Sequence, residues 1–582
     1  MSERTPSELR QAAAAFLADD PDPETRVELA ALLASDDLTA LAERFSGPLE
    51  FGTAGLRGLL GAGESRMNRR VVAQTTAGLC AYLAQTTPKA KERGLCVGYD
   101  GRHMSRQLAE ETCRVAAGAG FVVHAFDAVV PTPLLAFAVL DRAAAAGVMV
   151  TASHNPKQYN GYKVYWGNGA QIIPPHDLGI AQAIERVSCV LSLPRDDGMQ
   201  ASGHGLRRSM RGVQERYLAG VHALVGVEPG GSPLRIAYTA LHGVGEPLAR
   251  ATLAQAGFTD VHSVQLQSQP DPEFPTVAFP NPEEQGAMDR VLELAGQCGA
   301  ELIIANDPDA DRLALGCRTR SGELVTLSGN EVGVLLADHL LTHAPADGKN
   351  LVLSSIVSTP LVARVAAAHG AHWEPTLTGF KWIANRALEL ERSRQLRFVL
   401  GFEEALGYTI GTLVRDKDGL SAAALAARTA SAHKRAGRTL IDALDELYRR
   451  HGLFGSYPRS ITLPGAQGVS KIRTVMQRLR AQPPTRIGPS AVLSTLDLEQ
   501  GVLRRGSHTE PSALPKSDVL VLELEGGHRI AIRPSGTEPK LKIYLDTCTQ
   551  VATAESLEQA RTRLSRLADG LRDDFLAQAG LA

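Results

Sequence analysis

The sequence predicts an α/β protein: three similar α/β domains with mixed sheets, followed by a C-terminal α+β domain. Three observations carry that prediction. The chain has 582 residues, too many for a single hydrophobic core. From about residue 70 onward, apolar strand-like runs alternate with Ala-rich amphipathic segments, the rhythm of βαβ units around a buried sheet. The C-terminal part then changes to closely spaced strands ended by one long helix.

Residues 6–45 read as two short helices broken at the "DDPDPE" of 19–24, an N-terminal helical extension spanning 1–45. In domain 1 (46–208) the strand candidates are "LCVGYD", "FVVHAF" and "GVMVTA". Domain 2 (209–315) repeats the rhythm with "LRIAYTALHG", "VHSVQL" and "ELIIAND", and domain 3 (316–452) with "NLVLSSIVST" and "LRFVLGFEEAL". Domain 4 (453–582) packs three strand candidates into Asp518–Thr547, with Gly526-Gly527 as a hairpin turn. Its last helix is apolar at Leu557, Ala560, Leu564, Leu567, Leu571 and Phe575, one face of a 3.6-residue period.

Composition narrows the function. Hydrophobic content of 44% and charged content of 21% are those of a water-soluble globular protein. A net charge of −2 gives no electrostatic reason for a nucleic-acid or anionic-membrane partner. The seven cysteines are scattered and form no CxxC pair, which argues against a disulfide framework or a thiolate zinc site. The N-terminus lacks the basic start and cleavage site of a signal peptide, so a cytoplasmic location is expected.

Five stretches bear chemistry. In "VMVTASHNPKQYNGYKVYWGNGA" a strand stops at Ser153-His154-Asn155-Pro156, with Lys157 and Lys163 near a serine on a turn. Such a serine can be a cap or turn residue, or a nucleophile whose anionic product lysines favour. No G-x-S-x-G elbow is present. After the strand "ELIIAN", Asp307, Asp309 and Asp311 alternate; in an extended loop they would point to one side and repel, and a cation would compensate. Arg312 and Arg318 stand where an EF-hand needs Gly and Glu, so Mg²⁺ fits the oxygen ligands better than calcium of that type. "IRPSGTEPKLKIY" offers Arg533, Ser535, Gly536 and Thr537 to a phosphate, or forms a plain β-turn. "FGTAGLRG" and the pair "LTGFKWIANR" and "GFEEALGYTIG" are weaker signals: an anion cradle, a lysine for a phosphate, and Glu403 and Glu404 for polyol hydroxyls.

Together, "TASHNPKQYNGYKVYW", "DPDADR", "GFEEALGY" and "RPSGTEPKLKIY" resemble the four signature loops of the α-D-phosphohexomutase family, the phosphoglucomutases and phosphomannomutases. "FGTAGLRG" resembles the branch holding bacterial phosphoglucomutases and animal enzymes for glucose and pentose phosphates. The resemblance implies domains arranged around a central cleft. It implies Ser153 as a phosphoserine, with His154, Arg57 and Lys163 assisting. One Mg²⁺ would be held by Asp307, Asp309, Asp311 and the Ser153 phosphate. Thr378, Gly379, Lys381, Glu403 and Ala405 would line the sugar site, with Arg533, Ser535, Gly536 and Thr537 on the unreacting phosphate. Ala405 stands where many relatives have Ser, which removes a hydroxyl contact and leaves the preferred sugar open.

The implied reaction is interconversion of glucose 1-phosphate and glucose 6-phosphate through glucose 1,6-bisphosphate, which also serves as activator, in a monomer or weak dimer. Phosphorylation of Ser153 and a bisphosphate that turns end for end would let one site serve both ends of the sugar. Mannose, pentose or N-acetylhexosamine phosphates are sister substrates. Other classes are a haloacid-dehalogenase-like phosphatase with Asp307 as nucleophile, and a non-catalytic phosphosugar-binding protein.

Overall fold

Leu95–Tyr99 and Ala146–Val150 are buried at every position, as strands covered on both faces of a sheet must be. They run parallel with Val97 opposite Val148, at the centre of a six-stranded sheet. Its order is Leu56–Leu59, Tyr159–Trp166, Ala146–Val150, Leu95–Tyr99, Val123–Ala125 and Arg207–Ser209. Tyr159–Trp166 is antiparallel to both its neighbours and the remaining pairs are parallel, so the sheet is mixed. The helices Arg69–Thr86 and Ser105–Gly118 bury Leu79, Leu83, Leu108 and Ala116 in one core with Val97 and Val148.

The computed structural model describes residues 4–35, 37–52, 55–196, 206–230, 234–463, 465–535 and 540–581. The chain divides into two compact units: Met1–Ser328 with Ala405–Lys434, and Gly329–Glu404 with Arg435–Ala582. The first holds the sheet above and a second one, ordered Leu324–Leu327, Ala314–Arg318, Leu302–Ala305, Ile236–Thr239 and Val261–Ser263. Its last three strands are parallel, and Ala314–Arg318 is antiparallel to both its neighbours. "VHSVQL" is shorter than the sequence suggests: the strand stops at Ser263 and a 3₁₀ turn, Gln265–Gln267, follows.

The N-terminal extension forms three helices rather than two: Pro6–Asp19, Pro23–Ser35 and Leu38–Arg44. The Asp37 carboxylate caps the third by accepting from the Ala40 N–H at 2.9 Å. Leu9, Phe16, Leu29, Leu41 and Phe45 share a core with Val71, which fixes the extension to the first domain.

In the second unit, His372–Thr376, Asn350–Ser355 and Arg397–Glu403 are parallel neighbours. The C-terminal sheet is antiparallel, in the order Leu453–Thr462, Lys540–Thr549, Arg529–Pro534, Leu520–Leu524, Ser490–Asp497, Val502–Arg505 and His508–Pro511. Gly526 and Gly527 turn it at φ +84° and +78°, a region that favours glycine. The helix Leu557–Ala579 buries Leu571 and Phe575 against Leu522, Ile532 and Ile543. Among the described residues no helix is long and apolar enough to cross a membrane.

Candidate active site

The serine loop begins where the strand Ala146–Val150 ends. Ser153 sits at φ +54° with 1% of its surface exposed, and its N–H donates to Thr151 Oγ1 at 2.8 Å. Turn bonds from Asn155 N–H to the Ala152 carbonyl and from Tyr159 N–H to the Pro156 carbonyl send the chain back as Tyr159–Trp166. The Ser153 hydroxyl donates to Asp307 Oδ2 at 2.6 Å and lies 3.1 Å from His154 Nδ1.

The returning strand carries Lys163 into the interior, fully buried. Its Nζ donates to Asp309 Oδ2 at 2.7 Å and Asp311 Oδ2 at 2.9 Å. The three aspartates do not lie on an extended segment, as their alternation suggests. Ala310 adopts φ +54° and its N–H donates to the Asp307 carbonyl at 2.8 Å, so a tight turn gathers them. One oxygen of each lies within 4.8 Å of the others. The turn is anchored from outside: Asn306 Nδ2 donates to the Arg312 carbonyl at 2.6 Å, and Arg312 N–H to Asp307 Oδ1 at 3.0 Å.

Compensation of this charge comes partly from protein cations. Burial and the two neighbouring carboxylates push Asp307 up to about 8. Against burial and mutual repulsion, Lys163 holds Asp309 below the usual carboxylate range, and Lys163 with Lys417 holds Asp311 lower still. Lys417 Nζ stands 3.1 Å from Asp311 Oδ2. Lys163 in turn stays above the ordinary lysine value, because Asp309 and Asp311 outweigh its burial. Burial, then the cations Arg312 and Arg57, push His154 well below the ordinary histidine value, so its ring is neutral.

The donor set fits a divalent cation. Asp309 Oδ1 and Asp311 Oδ1 are buried and accept no hydrogen bond, in a cluster of oxygens only. Arg57 lies in the edge strand Leu56–Leu59, opposite Gly161, and its Nη1 donates to Asn155 Oδ1 at 2.8 Å. Its Nε is buried without a hydrogen-bond partner. Gly55 precedes it at φ +82°, where a Cβ would meet the Tyr162 carbonyl oxygen at 2.4 Å. Ser153, His154, Arg57, Lys163 and the three aspartates, far apart in sequence, therefore converge in the first unit. Lys157 instead pairs with Glu273 at 2.7 Å.

In the second unit, Glu403 Oε1 accepts from the Gly379 N–H at 2.6 Å. Gly379, at φ +110°, starts the helix Phe380–Arg394, which carries Lys381; Thr378 just before it is half-buried. Glu404 Oε2 accepts from the hydroxyls of Ser355 at 2.9 Å and Ser358 at 3.2 Å. Ala405, half-buried, follows as the first residue of the segment that returns to the first unit. Arg533 lies in the strand Arg529–Pro534; its Nη2 donates to Tyr544 Oη at 3.4 Å and its Nε is buried without a hydrogen-bond partner. Burial is outweighed there by Tyr544, Glu404 and Glu403, which hold the guanidinium above its ordinary value. The Ser535 N–H donates to the Lys540 carbonyl at 2.7 Å. Gly536 and Thr537 lie outside the described residues.

Two neighbours of the cluster escaped the sequence reading. Lys417 sits in "RDKDG", where alternating charges after a turn read as a solvated loop. Thr132, whose hydroxyl donates to Asp309 Oδ2 at 2.6 Å, follows a proline at a helix start, where threonine reads as a cap. No local signal links either to residues near 310.

Four family models match the chain: phosphoglucomutase/phosphomannomutase alpha/beta/alpha domain I over residues 48–189, domain II over 215–321, domain III over 328–451, and the C-terminal domain over 499–563. A probable phosphoribomutase of Schizosaccharomyces pombe is 38% identical over 582 residues, covering 96% of each chain. A phosphoglucomutase of Staphylococcus haemolyticus is 36% identical over 515 residues, 88% of this chain and 92% of its own. The crystal structure of the exocytosis-sensitive phosphoprotein pp63/parafusin of Paramecium shares the fold at a TM-score of 0.65 and 17% identity, covering 92% of this chain and 95% of that one. The chain belongs to the phosphoglucomutase/phosphomannomutase family.

Proposed function

We propose that the protein is a phosphosugar mutase in which Ser153 Oγ carries the phosphoryl group between the anomeric and terminal hydroxyls of one sugar. The observation that carries this reading is the buried Ser153 hydroxyl, 2.6 Å from Asp307 within the same cluster as Lys163. Nothing in packing alone favours three buried carboxylates beside a serine. A charge-dense phosphoryl group passed between oxygens needs such a surround.

Asp307, Asp309, Asp311 and the Ser153 oxygen would hold one Mg²⁺. When bound, the cation offsets negative charge on the phosphoryl oxygens. Lys163 and Arg57 add fixed positive charge, and Arg57 steadies Asn155 beside the serine. His154, neutral and 3.1 Å from Ser153 Oγ, is the group we assign to proton exchange with that oxygen. For the sugar and its unreacting phosphate we assign Thr378, Gly379, Lys381, Glu403, Arg533, Ser535, Gly536 and Thr537. A sugar bisphosphate, such as glucose 1,6-bisphosphate, would prime the serine. We keep with this reading a cytoplasmic monomer or weak dimer.

For the sugar itself, a pentose 1-phosphate is the first substrate we propose, converted to the 5-phosphate. Support comes from the fission-yeast phosphoribomutase, which matches nearly end to end, and from Ala405, which offers no hydroxyl to a larger sugar. Glucose 1-phosphate is the second reading, supported by the staphylococcal phosphoglucomutase. The test is ³¹P NMR with Mg²⁺, a trace of sugar bisphosphate, and ribose, deoxyribose, glucose, mannose and N-acetylglucosamine 1-phosphates supplied singly. Conversion to a terminal phosphate that disappears in Ser153→Ala supports the mutase and identifies its sugar. Release of inorganic phosphate that survives Ser153→Ala would overturn it in favour of a phosphatase.

A further inference from the structure

One buried guanidinium gathers the main chain of the serine loop. Arg102, just past the strand Leu95–Tyr99, is 5% exposed. Its Nη2 donates to the carbonyls of Ser153 at 2.6 Å and Asn155 at 2.5 Å. Its Nη1 donates to those of Pro156 at 3.0 Å and Tyr159 at 3.3 Å. Four carbonyls of one turn therefore converge on a single planar fork, which only arginine offers.

The fork is itself fixed. Asp100 stands 3.5 Å from Arg102 Nε and accepts from the Arg102 N–H and the Ser105 hydroxyl. Its other oxygen accepts from Thr151 Oγ1, the atom that accepts the Ser153 N–H. The Phe274 ring covers the guanidinium, its centroid 5.0 Å from Cζ, and is buried. Arg102 is bonded to the Ser153 carbonyl rather than to the hydroxyl. What it controls is the backbone, and Ser153 holds a φ of +54°, which a residue with a side chain rarely keeps without enforcement.

We propose that Arg102, seated on Asp100 and covered by Phe274, is a positioning residue that holds Ser153 in its left-handed conformation and so aims Oγ at Asp307. The inference rests on the reading of Ser153 as phosphoryl carrier. A lysine brings one point donor in place of the fork and cannot span four carbonyls.

The experiment uses Arg102→Lys and Arg102→Ala in the full chain, with kcat and KM on the sugar phosphate that the wild type converts. Hydrogen exchange of the peptide spanning 151–160 is followed alongside. The expected result is faster exchange in both variants and a kcat lower by about a hundredfold, the cost of misplacing a reacting atom by roughly 1 Å. KM changes little, and circular dichroism at the assay temperature shows folded protein. Millimolar guanidinium chloride restores turnover and exchange protection to Arg102→Ala and does nothing to the wild type. Wild-type kcat and protection in Arg102→Lys overturn the proposal. So does a loss that only tracks the unfolded fraction and is not rescued. If Arg102→Ala does not fold, Arg102→Lys decides alone. Ser153→Ala is run in parallel: turnover that survives it sinks the serine reading, while the exchange data still decide the role of Arg102.

Discussion

Thr132 holds Asp309 twice. Its N–H donates to the Asp309 carbonyl at 2.9 Å, and its hydroxyl donates to Oδ2 at 2.6 Å. The helix start at Thr132 and the acidic turn are thereby joined, and Asp309 Oδ1 is left without a partner in the interior. Thr132→Val keeps the shape and removes the hydroxyl. The expected outcome is Mg²⁺ affinity lower by about 10–100-fold, the usual effect of losing a group that orients a ligand. Calorimetric titration of Mg²⁺ measures it; unchanged affinity would show that Lys163 alone orients Asp309.

Lys163 is the buried cation between Asp309 and Asp311. Lys163→Met leaves Asp309 without its paired lysine and Asp311 with Lys417 alone, a change expected to cost about 3–5 kcal/mol in the presence of a chelator. Added Mg²⁺ should then raise the unfolding midpoint more in the variant than in the wild type, since a second cation takes over the role. Urea unfolding with EDTA and with Mg²⁺ compares the two. An equal response in both proteins would mean that the metal and the lysine act on different charges.

Gly419 shows a purely steric dependence. A Cβ there would lie 2.3 Å from the Arg312 carbonyl oxygen and 2.8 Å from Asn306 Nδ2, two groups that brace the acidic turn. Gly419→Ala must therefore displace backbone, with an expected loss of about 1–3 kcal/mol, and turnover should fall further than stability does. A thermal melt beside a kinetic assay checks both. Wild-type values in each would show that the turn tolerates a shift.

His528 gives a pH dependence away from the cluster. It is buried, and the Cys548 N–H donates to its Nδ1 at 3.2 Å, which requires a neutral ring. Burial lowers its pKa from the ordinary value of about 6.5. The unfolded chain then binds the proton more tightly, so the stability contributed by His528 is present above about 6.5 and is lost as the pH falls below it. His528→Asn keeps an acceptor and removes the titration. Urea midpoints at about pH 7.5 and about pH 5.5 should differ less in the variant than in the wild type; an equal acid loss would assign it to other groups.

Much of this molecule was legible because its signals are local. Strands covered on both faces need continuous apolar runs, and "LCVGY" and "AGVMV" could hardly be read otherwise. Gly526-Gly527 declares its hairpin, because few residues other than glycine adopt two successive positive φ angles readily. Ser153 and the three aspartates stood out because their types are costly to place together without a use. The third N-terminal helix escaped because seven residues give too short a period to read. The shape of the acidic turn escaped because Ala310, a residue that normally avoids positive φ, adopts φ +54° at its centre.

Fold class, family and the residue types that carry the chemistry follow from the order of amino acids alone. Each of these depends on periodicity or on short motifs, and the chain states both in order. Tertiary structure alone decided that Lys163 neutralises Asp309 and Asp311, that Thr132 and Lys417 join them, and that Arg102 gathers the serine loop. Those pairings join residues between 51 and 177 positions apart. No local preference encodes such distances; only the closing of the sheets, which removes these charges from water together, brings them within reach of each other.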